Sequence, residues 1–232
     1  MTHVLLVEDD EVIRRTVGLA LERYGYTVET APDGLAGLEA FRAGGDGGPV
    51  HDVLLLDVML PGLDGIGLCR RIRETSLVPI VMMSARGDGL DVVSGLEAGA
   101  DDYVVKPVDT AVLVARIRSV LRRSTDWAAA GGGPGESGAV LTFGDVTVDT
   151  AGMEVRRDGR PVALTPTELR LLLEFAAQPG VVLGRRTLLG NVWDHAWDGD
   201  SRVVDLAVQR LRAKIGAERI ETVRGFGYKL RR

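Results

Sequence analysis

With 232 residues, 45% of them apolar and 26% charged, the chain can bury one large core or two ordinary ones, and global disorder is excluded. Apolar runs such as Val53 to Leu56 and Val78 to Met83 fall far short of the ~20 residues of a membrane helix, and Met1-Thr2-His3 leads into a strand-like run rather than a secretory signal. The sequence therefore reads as cytoplasmic with no membrane partner, and its net charge of −5 divides into −6 over residues 1–123, −2 over 124–138 and +3 over 139–232, which directs any polyanion partner to the second half.

In the first half, short β-like runs alternate with amphipathic segments. The runs are Val4 to Val7, Thr27 to Thr30, Asp52 to Leu56, Pro79 to Met83 and Tyr103 to Val105. Five βα units with near-continuous apolar strands predict a five-stranded, doubly wound parallel sheet of the α/β class, covered by helices on both faces. Cys69, the single cysteine, falls among apolar positions of a predicted helix and reads as a buried thiol.

Ligands of such sheets bind beyond the carboxyl ends of the strands. Glu8, Asp9 and Asp10 follow the first predicted strand, Asp57 the third, Ser84 the fourth and Lys106 the fifth. Taken singly, these residues have plainer readings: Asp10 and Asp33 as helix caps, Ser84 as a turn residue, Lys106 as a solvated charge. Converging carboxylates, however, repel one another unless a hard, oxygen-preferring cation such as Mg²⁺ neutralises them. With Mg²⁺ on Asp9, Asp57 and the backbone carbonyl of Met59, one Asp57 oxygen is free to attack phosphorus, and Lys106 and Ser84 can hold the transferred oxygens. Asp57 is thus the expected phosphoacceptor.

The segments Val7-Glu8-Asp9-Asp10, Leu56 to Gly65, Met83-Ser84-Ala85 and Gly99 to Pro107 together resemble the receiver domain of two-component response regulators over residues 3–123. The resemblance implies an acidic pocket of Glu8 and Asp9, phosphorylation of Asp57 by a sensor histidine kinase, and phosphoryl contacts from Lys106 and Ser84. It also implies a switch in which Ser84 moves inward and Tyr103 rotates after it, and a cis Lys106–Pro107 peptide. Similar regulators form homodimers on phosphorylation through crossed ion pairs, for which Asp102 with Arg116 and Glu97 with Arg118 fit. Val92 and Val112 stand where a further charged pair is usual, and the Lys-Pro-Phe motif reads Lys106-Pro107-Val108.

Residues 124–138, rich in Gly, Ala and Ser, have no periodic apolar face and read as a flexible linker between domains at 1–123 and 139–232. Beyond it, alternating strands are predicted at Leu141 to Phe143, Val146 to Asp149, Glu154 to Arg156 and Pro161 to Leu164, with Asp158-Gly159 as a hairpin turn. Thr165-Pro166-Thr167-Glu168 is a capping box that opens a helix ending at Pro179-Gly180, and Arg185 to Trp193 predicts another. From Ser201 to Ile215, Val204, Val208, Leu211 and Ile215 form one apolar stripe. Arg202, Asp205, Gln209 and Arg212 share a polar arc, flanked on the other side by Arg210 and Lys214. Arg and Gln at this spacing suit base edges in a major groove. A glycine-turned hairpin follows from Ile220 to Leu230, with Arg224 near its tip, suited to a minor groove.

Over residues 139–231 these segments resemble the α+β winged-helix effector of OmpR/PhoB-type regulators. By that resemblance Arg202, Gln209, Arg210, Arg212, Thr222, Arg224 and Tyr228 contact double-stranded promoter DNA, and the loop from Asp194 to Asp200 touches RNA polymerase. Val203 replaces a threonine that often bonds phosphate, and Ala207 is a second departure. The expected function is phosphorylation-dependent control of transcription rather than dedicated catalysis. A haloacid-type phosphatase places its nucleophile after the first strand, whereas Asp57 follows the third. A receiver-like dimeriser without phosphorylation does not need the complete acidic pocket and Lys106.

Overall fold

The computed structural model describes residues 1–45, 50–85, 94–130, 140–150, 152–193 and 201–232. Contacts divide the chain into two compact units, Met1–Leu121 and Arg122–Arg232.

The first unit contains β1 (His3–Val7), α1 (Glu11–Arg23), β2 (Thr27–Ala31), α2 (Gly34–Gly45), β3 (Val53–Asp57), α3 (Gly65–Arg73), β4 (Ile80–Ser84), β5 (Asp102–Val105) and α4 (Thr110–Ala130). Residues 94–97 are helical as well. The strands form one parallel sheet in the order β2-β1-β3-β4-β5. Strand residues alternate between faces, and Val4, Leu6, Val53, Leu55, Val81, Met83 and Val104 pack on Leu21 of α1 and on Leu113, Val114, Ile117 and Val120 of α4. On the opposite face α2 lies so close that a Cβ at Gly37 would stand 2.7 Å from Val7. Because both faces are covered, β3 and β4 are buried throughout, as their unbroken apolar runs require. Each such Leu or Val contributes on the order of 1.5–3 kcal/mol through burial. Strand order reverses between β1 and β3, opening a crevice at their carboxyl ends, where Glu8, Asp9 and Asp57 stand.

Two expected boundaries differ. Helix α4 runs to Ala130, so residues 124–130 of the expected linker are helical; the high helix propensity of Ala128-Ala129-Ala130 outweighs the lack of an apolar stripe. Residues 131–139 lie outside the described residues. The glycine-rich segment from Ala43 to Pro49 has no apolar periodicity and suits a surface loop, yet Ala43-Gly44-Gly45 close α2; residues 46–49 are not described.

The second unit opens with an antiparallel sheet of β6 (Val140–Phe143), β7 (Val146–Asp149), β8 (Glu154–Arg157) and β9 (Arg160–Pro161). The expected strand from Pro161 to Leu164 shortens to Arg160–Pro161. Asp158 and Gly159, both at positive φ, turn the chain tightly, and Thr165 must already be extended to cap the next helix. There follow α5 (Pro166–Ala177), α6 (Arg185–Leu188) with a π-helical turn Leu189–Trp193, α7 (Arg202–Ile215), and the hairpin β10 (Ile220–Val223) with β11 (Gly227–Leu230). The stripe predicted on α7 is real: Val204, Val208, Leu211 and Ile215 are wholly buried, and Val203 and Ala207 join them. Gly216, at φ 103°, ends α7. Among the described residues no helix is long and apolar enough to cross a membrane.

Candidate phosphoacceptor site and nucleic-acid interface

Between β1 and α1 the chain turns at Glu8-Asp9-Asp10. Asp10 caps α1, its carboxylate accepting the Ile13 N–H at 2.9 Å. Arg14 donates Nη1 to the Glu8 and Asp9 carbonyls at 2.7 and 3.0 Å, fixing the acidic turn from behind. At the end of β3, the Val58 N–H extends the pairing with β4 by donating to Met83 at 2.9 Å, and the Gly65 N–H donates back to Val58 at 3.0 Å. A Cβ at Gly65 would stand 1.9 Å from the Asp57 carbonyl oxygen, so only glycine lets α3 begin here. Beyond β5, the Lys106 N–H donates to the Ser84 carbonyl at 2.7 Å, and the Lys106–Pro107 peptide is cis, as expected.

These constraints bring Lys106 between two carboxylates, its Nζ 2.5 Å from Glu8 Oε2 and 3.0 Å from Asp57 Oδ1. Glu8 and Asp57 are 1% and 4% exposed, whereas Asp9 is open to solvent. Burial pushes the Glu8 carboxyl above its ordinary range; the Lys106 hydrogen bond and charge oppose this, and the Asp57 and Asp9 charges add to it. One oxygen each of Glu8, Asp9 and Asp57 lies within 4.8 Å of the others. Three convergent carboxylates against one ammonium leave an excess of negative charge and a hard oxygen donor set, which fits Mg²⁺. Met59, whose carbonyl is the expected additional donor, is an exposed loop residue. Ser84 is buried at the end of β4, and Tyr103, expected to rotate inward on switching, is already buried at 6% exposure.

The expected dimer residues separate into two groups. Asp102 is wholly buried, with Arg116 of the same chain 3.9 Å away. Glu97 and Arg118 are exposed. Val112 is 48% exposed, which removes helix-core packing as its role; Val92 lies outside the described residues.

In the second unit, Arg202 and Gln209 are exposed on α7, and Arg224 lies exposed in the turn of the β10–β11 hairpin beside Phe226, itself 74% exposed. Thr222 is exposed on β10. Three other expected DNA contacts are turned inward. The Arg210 side chain is 13% exposed and its Nε lies 3.7 Å from Glu168. Arg212 donates to the Ile220 carbonyl and to Thr222 Oγ1. Tyr228 is 5% exposed and its hydroxyl donates to Asp205 at 2.6 Å. A helix wedged between a core and a hairpin shows only part of its polar arc to solvent, which periodicity alone does not reveal. The expected polymerase loop, residues 194–200, lies outside the described residues.

Several positioning residues escaped the sequence reading. Glu168, read only as a capping-box member, is 1% exposed and also accepts from Lys214 at 2.6 Å. Arg185 on α6 bonds Asp205 at 2.7 Å. Arg14 carried a readable signal: a cation in the first turn of a helix opposes the macrodipole and calls for a local partner.

Residues 4–118 match the family described as response regulator receiver domain, and residues 159–230 that described as transcriptional regulatory protein, C terminal. The chain is 65% identical to the transcriptional regulatory protein CseB of Streptomyces coelicolor, over 99% of this chain and 98% of that one. It is 42% identical to the DNA-binding response regulator MtrA of Mycolicibacterium smegmatis, over 98% and 96% of the two chains. Among solved structures, a RitR mutant superposes with a TM-score of 0.71 at 25% identity, covering 100% of this chain and 99% of the other. With both halves matched in order and along nearly their whole length, the chain belongs to the two-component response regulators of OmpR/PhoB type, transcriptional regulators in which a receiver precedes a DNA-binding domain.

Proposed function

We propose that Asp57 accepts a phosphoryl group from a sensor histidine kinase and that this modification promotes dimerisation and promoter binding. The observation that carries the reading is Lys106 bridging Asp57 and Glu8 at the strand-order reversal. An Asp57 oxygen forms the new bond to phosphorus as the bond from phosphorus to the kinase imidazole nitrogen breaks. Lys106 then exchanges its carboxylate partner for a phosphoryl oxygen, and the buried Ser84 hydroxyl donates to another. Asp9, Asp57 and the Met59 carbonyl, with Glu8 alongside, would hold Mg²⁺, which would supply charge neutralisation for the incoming phosphoryl group.

Phosphorylation adds nearly two negative charges and three strong acceptors at the ends of β3 and β4. Strand β4 pairs with β5, so Ser84 and Tyr103 couple the event to Glu97 and Arg118, exposed and of opposite sign as a crossed pair between protomers requires. Such a pair contributes specificity more than affinity, about 0–1 kcal/mol.

For promoter DNA, exposed Arg202 and Gln209 are the candidates for the major groove and Arg224 for the adjacent minor groove, with Thr222 beside it. Binding chromosomal DNA places the protein in the cytoplasm, and RNA polymerase is the partner that residues 194–200 suit by family resemblance.

Binding to a promoter-fragment library, with and without a small-molecule phosphodonor and Mg²⁺, tests the reading for the wild type and Asp57→Ala. Phosphodonor-enhanced occupancy of discrete fragments is expected in the wild type alone. Equal occupancy in all conditions would remove phosphorylation from the mechanism and leave constitutive DNA binding.

A further inference from the structure

The recognition helix α7 and the hairpin β10–β11 are joined by side chains that the DNA reading leaves without a task. Near the start of α7, Asp205 Oδ1 accepts two hydrogen bonds, from the Tyr228 hydroxyl at 2.6 Å and from Arg185 Nε at 2.7 Å. Arg185 closes the triangle by donating Nη2 to the Tyr228 oxygen at 3.1 Å. Near the end of α7, Arg212 donates Nε and Nη2 to the Ile220 carbonyl at 2.8 and 2.6 Å and Nη2 to Thr222 Oγ1 at 2.8 Å. The Tyr228 ring lies between the two attachments, its centroid 5.0 Å from the Arg185 guanidinium carbon and 5.5 Å from that of Arg212.

The backbone also ties the hairpin to the segment before α6. Leu183 and Tyr228 exchange N–H to carbonyl bonds at 2.8 and 3.0 Å. Gly227 makes this approach possible, since a Cβ there would meet the Leu183 carbonyl oxygen at 2.1 Å. Burial, followed by the hydrogen bond to Asp205, pushes the Tyr228 hydroxyl above its ordinary range, so it remains a donor. Arg185 is held charged mainly by its bond to Asp205.

A hairpin attached to a helix at one point can rock about it; attachment near both helix ends removes that freedom. We propose that Asp205, Arg185 and Tyr228 are positioning residues that set the angle between the recognition helix and the hairpin, so that Gln209 in one groove and Arg224 in the next engage the duplex together. The proposal rests on the DNA-contact reading above. It assigns Tyr228, and Arg212 with it, to geometry within the protein, so their contribution to affinity comes from ordering the hairpin before DNA arrives.

A double-mutant cycle on the phosphodonor-treated full chain tests this. The probe is the tightest duplex that the wild type recovers from a random-sequence library. Tyr228→Phe keeps the ring and removes the hydroxyl, and is expected to weaken binding about tenfold. In that background Arg224→Ala should cost only about two- to threefold, against about tenfold in the wild type, because a hairpin free to rock has already lost most of that contact. Gln209→Ala should cost the same factor in both backgrounds. Asp205→Ala, which removes the oxygen that accepts from Tyr228 and Arg185, serves as a second background if Tyr228→Phe no longer unfolds cooperatively, and should show the same non-additivity. An Arg224→Ala penalty equal in wild type and both backgrounds would overturn the positioning role and return Tyr228 to direct DNA contact or plain packing. Recovery of no duplex at all would overturn the DNA-contact reading and the positioning role together.

Discussion

Lys106 Nζ stands 3.0 Å from Asp57 Oδ1, linking the end of β5 to the end of β3, and the same nitrogen serves Glu8 just beyond β1. One ammonium thus offsets two buried carboxylates, and it competes with any cation for their oxygens. Lys106→Met should therefore tighten Mg²⁺ binding by about tenfold while abolishing the response to phosphodonor. Calorimetric titration of Mg²⁺ into both proteins measures the first effect; weaker binding in the variant would show that Lys106 organises the carboxylates instead of competing for them.

The placement of Asp57 depends on the missing side chain at Gly65. Gly65→Ala puts a methyl group against the Asp57 carbonyl oxygen, and backbone must move to admit it. The expected loss is about 1–3 kcal/mol of receiver stability, together with slower phosphorylation. Urea unfolding and phosphodonor kinetics read the two; an alanine variant equal to the wild type in both would show that the turn adapts freely.

Glu168 ties the start of α5 to α7, capping the Thr165 N–H at 2.9 Å and accepting from Lys214 at 2.6 Å. Glu168→Ala removes a cap and strands two cations, so it should cost about 2–4 kcal/mol. Glu168→Gln retains a cap oxygen and loses the charge, and should cost about half as much. Denaturant melts of the DNA-binding domain within the full chain decide, and equal penalties would place the whole effect in the cap.

Asp145 receives Arg157 at 2.8 Å and Arg219 at 2.7 Å, joining the first sheet of the effector to the segment before β10. The Arg157 hydrogen bond, foremost, holds its carboxyl below the ordinary aspartate range. A depressed folded-state pKa contributes stability that is complete above the unfolded value and is lost as pH falls through the folded one. Asp145→Asn should thus be less stable than the wild type near neutral pH, and the gap should narrow as pH falls below the ordinary aspartate range. A gap that persisted at acid pH would assign the effect to shape rather than charge.

Salt dependence separates two of the exposed DNA candidates, Arg224 and Gln209. If Arg224 neutralises a phosphate or lines the minor groove, Arg224→Ala should flatten the logarithmic salt slope of binding by about one. Gln209→Ala should leave the slope unchanged and relax preference at one base pair, at a cost of about 1–3 kcal/mol. Parallel slopes for wild type and Arg224→Ala would exclude the arginine from the counterion-releasing contacts.

The central strands of the receiver were legible because they are buried on both faces, so Val53 to Leu56 and Ile80 to Met83 appear as unbroken apolar runs. The acidic site was legible because the doubly wound order forces every strand end into one crevice, and Glu8, Asp9, Asp57, Ser84 and Lys106 each follow a strand directly. Caps carried their own signals: Asp10, Asp33 and the Thr165 to Glu168 box all bond as their spacing predicts.

Local pattern determined which residues lie on which side of an element, and the tertiary structure decided what stands opposite them. Along α7 the polar arc was correct, yet Arg210 meets Glu168, Arg212 meets Ile220 and Thr222, and Asp205 meets Arg185 and Tyr228. Asp102 likewise lies buried, 3.9 Å from Arg116 of its own chain, a proximity that its spacing in sequence does not show. A long polar side chain reaches several ångströms from its backbone, so its partner depends on elements distant in sequence. The sequence alone therefore determined the two folds and the chemistry gathered in the crevice, whereas tertiary packing decided which cations remain exposed for DNA and which hold the recognition helix in place.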